Sequence, residues 1–440
     1  MNVTRAEAQA RARLLDVEGY YVVLDLTIGD VTFGSTTTAR FRCTEPGAET
    51  FVDLVADRVL ALELNGVALD PGTAFDGFRV TLPALAGHNV FTVEADCRYS
   101  STGEGLHRFV DPVDEQVYVY TQFEPFEAHR VFACFDKPDL KAPWTLTVRC
   151  PGTWLVVSTT TGVPSAEGDF TRWDFPGSAV VSTYLYALAA GPFARVRSEH
   201  GPIPMDVYCR ATLAAHLDAD AVLTVTRQGF DHFRELFGQP YPFGKYDQVF
   251  VPEFNSGAME NVACVLLTER ILFRSRVTRT MAMRRAEILL HELAHMWFGN
   301  LVTMRWWDDL WLNESFATYV AAHHRRQHGA RHHHRRQGGP RTVRGTDPPA
   351  SDRGRGVPDA GREAGQFRVG DARPDRGHEP GARTTAGRSG RHRPGQRRRP
   401  DLRQGQARSP VVAPADQADR PPRRHPGPVG LLGSGLGHDP

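Results

Sequence analysis

A chain of 440 residues has room for two or three ordinary domains, and its net charge of +1 conceals a split. Residues 325–440 hold 25 Arg against 11 acidic residues, which is +14 and leaves −13 on residues 1–324. That last stretch has no Ile, Met, Cys, Trp, Tyr or Lys, one Phe (Phe367) and four Leu, a composition that excludes a packed core.

Taken in chain order, residues 1–7 lack the basic region and apolar run of a secretory signal. No apolar run reaches the ~20 residues that a membrane span requires, so a cytoplasmic protein with no membrane partner is expected. From Gly19 to about Gly201 the pattern is short, alternating and rich in β-branched and aromatic residues, as in 20–27, 59–64, 90–95, 116–121 and 145–148. Turn signals such as Asn65-Gly66 and Pro151-Gly152 separate these runs, and the region reads as an all-β saddle or sandwich domain over residues 1–200. Six cysteines (Cys43, Cys97, Cys134, Cys150, Cys209, Cys264) show no CxxC spacing and read as buried, reduced and structural.

Near Ala211 the period becomes helical, with Leu217, Ala221, Val225, Phe230, Phe233 and Leu236 expected on one face until Gly238-Gln239-Pro240 stops the helix. Strands are expected at 248–254 and 263–268, a long helix over 278–298, and a further helix from about Asn313 that includes Phe316, Tyr319 and Val320. This second domain, residues 201–324, reads as an incomplete α+β unit, since its last expected helix never receives its second half. From His323 onward periodicity is lost, and residues 325–440 are expected to be a disordered Arg/Gly/Pro-rich tail.

The strongest chemical signal is His291-Glu292-Leu293-Ala294-His295 within an apolar helical run. Residues four apart share a helix face, so both imidazoles can reach one Zn²⁺ while Glu292 reaches a metal-bound water. Glu314 follows His295 after eighteen residues, at the head of the next helix, and can return as a third ligand. A His₂Glu set leaves the fourth tetrahedral position open, as a hydrolytic zinc needs. Upstream lies Gly257-Ala258-Met259-Glu260-Asn261. There Gly257 lets a peptide backbone pair closely as an added strand, and Glu260 offers a fixed anion for a free ammonium group.

With these motifs the chain resembles the aminopeptidase N family of zinc metallopeptidases, gluzincins, over roughly residues 8–322. The stretch from Val302 to Ala317 is similar to that family's link between the HExxH and the third ligand, and Arg11-Ala12-Arg13-Leu14-Leu15 is similar to members from high-GC bacteria. The resemblance implies a thermolysin-like zinc peptidase domain, one Zn²⁺ per chain and peptide substrates with a free N-terminus. It also implies that Glu124, in Gln122-Phe123-Glu124-Pro125, joins Glu260 in holding the α-amino group, with Gln122, Gly257, Ala258, Met259 and Asn261 as neighbouring substrate contacts. By the same resemblance Met259 lines the first side-chain subsite. Asp308 or Asp309 is a candidate to orient a zinc-bound imidazole, with a solvated loop pair as the alternative.

The family's catalytic Tyr lies well downstream of the third ligand, whereas the last tyrosine here, Tyr319, is five residues past Glu314. The expectation is a truncated chain, out of frame after about residue 323 and poor or inactive as an enzyme. The codons of Leu402-Arg403-Gln404-Gly405, read one register away, can spell Tyr-Ala-Lys-Gly, similar to the family's Tyr element. The competing reading is a catalytically dead peptidase relative with a nucleic-acid-binding tail. Against it, the arginines are diluted by 11 acids and lack aromatic interleaving. Epoxide hydrolysis and endopeptidase activity would share the HExxH, but Glu124 with residues 257–261 favours the exopeptidase. A run at His332-His333-His334 reads as accidental rather than metal-binding, and a monomer is favoured.

Overall fold

The structure, a computed structural model, describes residues 3–335, with side chains described as far as His323. Of the tail expected to be disordered from residue 325, residues 336–440 lie outside the described residues, Leu402-Arg403-Gln404-Gly405 among them, and the side chains of the His332 run lie outside those described. The described residues belong to one compact unit.

The chain opens on a helix that the hydrophobic pattern does not announce, α1 (Arg5–Leu14). Thr4 caps it, its hydroxyl accepting from Glu7 N–H while the Glu7 carboxylate accepts from Thr4 N–H at 2.8 Å. Only Ala8 and Arg11 are buried on it. Arg11 pairs with buried Asp53 at 3.1 Å and lies 4.0 Å over the Phe51 ring, so a polar side chain docks this helix where a stripe of Leu would normally do so.

The expected all-β region forms two main sheets. Eight strands run in the spatial order Val163–Glu167, Phe170–Phe175, Trp144–Pro151, Leu15–Asp25, Thr32–Cys43, His88–Arg98, Arg58–Leu64 and Val67–Leu69. All pairs are antiparallel except Leu15–Asp25 with Trp144–Pro151. A four-stranded sheet, Leu155–Ser158, Leu188–Gly191, Val117–Gln122 and Gly105–Val110, packs into the same core. The alternation of the long strands is clean, Thr32–Cys43 burying every second residue, which is why the period-2 reading finds them. All six cysteines are buried and free.

A five-stranded sheet carries the second part, ordered Phe193–Val196, Val207–Arg210, Asp247–Val251, Cys264–Thr268 and Ala258–Met259. Its first two strands form an antiparallel ribbon that spans the boundary expected at 200/201. Its two middle strands are buried on both faces. Val249, Val251 and Leu266 face the core shared with the β region, and Phe250, Val265 and Leu267 face the helices. Arg210 ties the parts together, bonding Asp111 at 2.5 Å and Glu269 at 2.7 Å.

After a single helical turn α2 (Pro71–Ala74) in the β region, the long helices are α3 (Ala219–Phe237), α4 (Arg279–His295) and α5 (Trp311–Arg335). The expected face of α3 holds at Phe230 and Phe233, with Leu217 and Val225 half-buried against the same helical core, and is corrected at its ends: residues 211–216 form a 3₁₀ turn, Leu236 is 44% exposed, and the buried stripe also takes in Val222, Leu223, Thr226 and Gly229. At Gly229 a Cβ would come 2.7 Å from Leu290 and Leu293 of α4, so the absence of a side chain there lets α3 lie close against α4. Helix α5 continues to Arg335, past the break expected after residue 324. Among the described residues no helix is long and apolar enough to cross a membrane.

Candidate active site

Helix α4 is started by Thr278, whose hydroxyl accepts from Met281 N–H at 3.2 Å, and it packs Leu289, Leu290, Leu293 and Ala294 into the helical core. It stops at His295, three residues before the expected end, because the chain tightens: Met296 N–H bonds Leu293 O and Trp297 N–H bonds Ala294 O. The tightened turn aims the Phe298 carbonyl at His295 Nδ1, 2.9 Å away. A carbonyl only accepts, so Nδ1 carries the proton and Nε2 presents its lone pair.

His295 Nε2 faces His291 Nε2 at 3.0 Å, and Glu314, from the first turn of α5, brings its carboxylate oxygens to 3.2 Å from His291 Nε2 and 3.6 Å from His295 Nε2. His291 Nδ1 lies 3.3 Å from Thr318 Oγ1. These ligand atoms lie within 4.8 Å of one another. Two imidazole nitrogens and a carboxylate, converging so closely with a lone pair turned inward, fit a cation and suit zinc. Burial would raise the Glu314 carboxyl, but the His291 hydrogen bond and the charge of both imidazoles bring it below its ordinary value. Burial pushes His295 down.

Three more carboxylates meet here from separate elements. Glu292 is buried on α4, and Glu260 follows the edge strand Ala258–Met259 with 4% exposure. Glu124 follows the strand Val117–Gln122, which delivers it from the β region. Burial pushes all three carboxyls up; after it the charge of Glu314 raises all three, and that of Glu260 raises Glu124 and Glu292. Glu260 Oε1, Gln122 Oε1 and Asn261 Oδ1 are buried acceptors without a hydrogen-bond partner among the described residues. A cavity of about 360 Å³ opens at Glu292, lined by Gly257, Ala258, Ile288, His291 and Thr318, with Arg284 and Glu287 also on its wall. A larger one, about 720 Å³, lies against α1 between Arg13, Lys137 and Arg305 and touches none of these acids.

Of the other expected residues, Gly257 is exposed with open space where a Cβ would be, next to the outer strand Ala258–Met259. Met259 is 1% exposed within the large core. Of the two readings of Asp308 and Asp309, the solvated loop pair fits and the imidazole-orienting role does not: Asp308 pairs with Arg5 at 2.6 Å on the surface and Asp309 borders the α1 cavity, while the Phe298 carbonyl and Thr318 contact the imidazoles.

Sequence reasoning missed a set of supporting side chains. Asn300 donates to the Glu260 carbonyl at 2.7 Å, and Lys141 donates to the Asn300 carbonyl at 3.0 Å, linking the β region to Glu260. Gly299 permits the close turn, with φ +124 and a would-be Cβ 3.3 Å from both His295 Nδ1 and Asn313 Nδ2. Gly299→Ala is therefore expected to destabilise the chain by about 1–3 kcal/mol, read by urea unfolding, because both the backbone and the His295 wall would have to yield.

Residues 80–185 match the Peptidase M1 N-terminal domain and residues 222–340 the Peptidase family M1 domain. An aminopeptidase N of Streptomyces lividans is 53% identical over 328 residues, which is 73% of this chain and 38% of that protein. A leucyl aminopeptidase of Saccharolobus solfataricus is 37% identical over 63% of this chain and 35% of its own length. For a human glutamyl aminopeptidase the figures are 35% identity, 46% of this chain and 21% of that protein. The chain thus spans between about a fifth and two fifths of these relatives. Two family domains in the expected order, joined to the His₂Glu cluster, mean that the chain belongs to the M1 peptidases, as a gluzincin of the aminopeptidase N type.

Proposed function

We propose that this chain carries the metal-binding and amine-anchoring parts of a zinc aminopeptidase that removes N-terminal residues from peptides. The observation behind it is the convergence of a His₂Glu set with two further carboxylates, Glu260 beside His295 and Glu124 close enough to feel the charges of Glu260 and Glu314, brought from different parts of the fold.

His291, His295 and Glu314 would hold the ion, and when bound zinc would polarise the scissile carbonyl and acidify water. A substrate backbone pairs along the free edge at Ala258–Met259, where Gly257 offers no side chain. Its α-ammonium is held by Glu260 and Glu124, so that only the first peptide bond lies over the ligand cluster. Glu292 takes a proton from the attacking water as the water oxygen bonds to the carbonyl carbon. It then delivers that proton to the amine nitrogen as the C–N bond breaks.

Tyr319 is 67% exposed and forms no part of this cluster, and no tyrosine follows it in the sequence. Tyr319 therefore supplies no donor to the oxyanion formed in the reaction, and lack of one such donor typically costs about 10²–10³ in rate. A slow enzyme is expected from the 440-residue chain.

Glu260→Gln is expected to raise KM for aminoacyl anilides about 10- to 100-fold, the equivalent of one charge-assisted contact worth roughly 1.5–3 kcal/mol. Steady-state kinetics read this, and an unchanged KM would remove Glu260 from amine recognition.

A further inference from the structure

One buried turn of the β region touches the chain neighbours of both key carboxylates. The 3₁₀ turn Thr183–Leu185 is fixed from behind, with Thr183 Oγ1 donating to Asp136 Oδ1 at 2.7 Å and Ser182 Oγ donating to the Pro138 carbonyl at 2.5 Å. From its front, the Leu185 carbonyl accepts from Val262 N–H at 3.0 Å, and the Tyr186 carbonyl accepts from Asn261 Nδ2 at 3.5 Å. Both bonds fall within two residues of Glu260. The Tyr184 hydroxyl accepts from Asn313 Nδ2 at 3.3 Å, one residue before Glu314.

Asn313 is 2% exposed and its amide also closes on the Gly299 turn beside His295. The Tyr184 ring is fully buried and meets Trp307 edge-on at 5.1 Å, so the hydroxyl has little freedom. Burial, and after it the charges of Glu260, Glu124 and Glu314, push the phenol far up, which keeps it protonated in front of the carboxylate cluster.

We propose that Tyr184 is a positioning residue: through Asn313 it sets the head of α5, and so the reach of Glu314 toward an ion shared with His291 and His295. This inference rests on the zinc reading given above. It adds that the third ligand is aligned from the β region across the interface, by the same turn that bonds the Glu260 loop.

The test is zinc affinity of the full 440-residue chain, measured by competition with a chromophoric chelator, beside the thermal unfolding of the metal-free protein. Tyr184→Phe keeps the ring and removes the acceptor, and the loss of such an outer partner typically weakens metal binding about 10- to 100-fold. That loss is expected with metal-free unfolding unchanged. Asn313→Ala should weaken binding as much, and the double variant no more than either single one, since both remove the same bond.

Wild-type affinity in Tyr184→Phe, or losses that add in the double variant, would overturn the proposal. Should Tyr184→Phe fail to fold, Asn313→Ala carries the same decision: unchanged affinity overturns it and a 10- to 100-fold loss supports it. A wild-type chain that holds no zinc, or a His291→Ala chain that holds it as tightly, would overturn the zinc reading and this proposal with it. Failure of the proposal alone leaves zinc bound through His291.

Discussion

Glu292→Gln is expected to lower the rate of the hydrolytic step by about 10²–10⁴ while leaving zinc content unchanged, the range typical of a positioned general base. Glu292 is buried on the face of α4 that carries both imidazoles, between a cavity and three other carboxylates. Without a cation, burial and those neighbours push its carboxyl well above the ordinary range; a bound divalent ion reverses that balance and restores a carboxylate able to take a proton. Gln keeps the size and loses the basicity, so an effect on rate without one on metal separates proton transfer from folding. Because the starting rate is itself expected to be low, the reading is single-turnover hydrolysis with enzyme in excess. Loss of zinc in the variant, or a rate within a factor of ten of the parent, would take the base role away from Glu292.

His295→Ala is expected to remove tight zinc binding altogether, exceeding the about 10- to 100-fold cost of losing an outer partner. His295 is 1% exposed, and its tautomer is set by the Phe298 carbonyl, so it contributes a lone pair that is already aimed. Removing it leaves one imidazole and the part-exposed Glu314, a pair common on protein surfaces and weak for zinc. Metal analysis after dialysis against a chelator reads the result, one zinc in the parent and none in the variant.

The clustering of His291, His295 and Glu314 was legible in the sequence because its geometry is local. His291, Glu292 and His295 share one helix face by spacing alone, and Glu314 lies at the head of the next helix. The long strands were legible for the same reason, since alternation such as that of Thr32–Cys43 is a property of neighbours in the chain. What escaped depends on contacts across long separations. Tyr184 meets Asn313 over 129 residues and Lys141 meets Asn300 over 159, and no periodicity encodes either. Helix α1 escaped because Arg11 docks it, where the pattern looks for apolar residues. The face of α3 was legible in part, through Phe230 and Phe233, whereas Gly229 escaped because it has no hydrophobic weight, yet it sits close against Leu290 and Leu293 of α4. Asp308 drew attention by standing near the motif in sequence, while in space it belongs to Arg5.

The claim that one cleft combines a zinc ion with an amine anchor is tested most directly by ligand binding, which does not need the oxyanion donor. Titration of the zinc-loaded 440-residue chain with leucine hydroxamate, calorimetrically, should show binding at one site, with N-acetyl-leucine hydroxamate about tenfold or more weaker for want of the ammonium group. The metal-free chain and His295→Ala should bind neither. Equal affinity for the free and acetylated compounds, or binding that persists without zinc, would contradict the account.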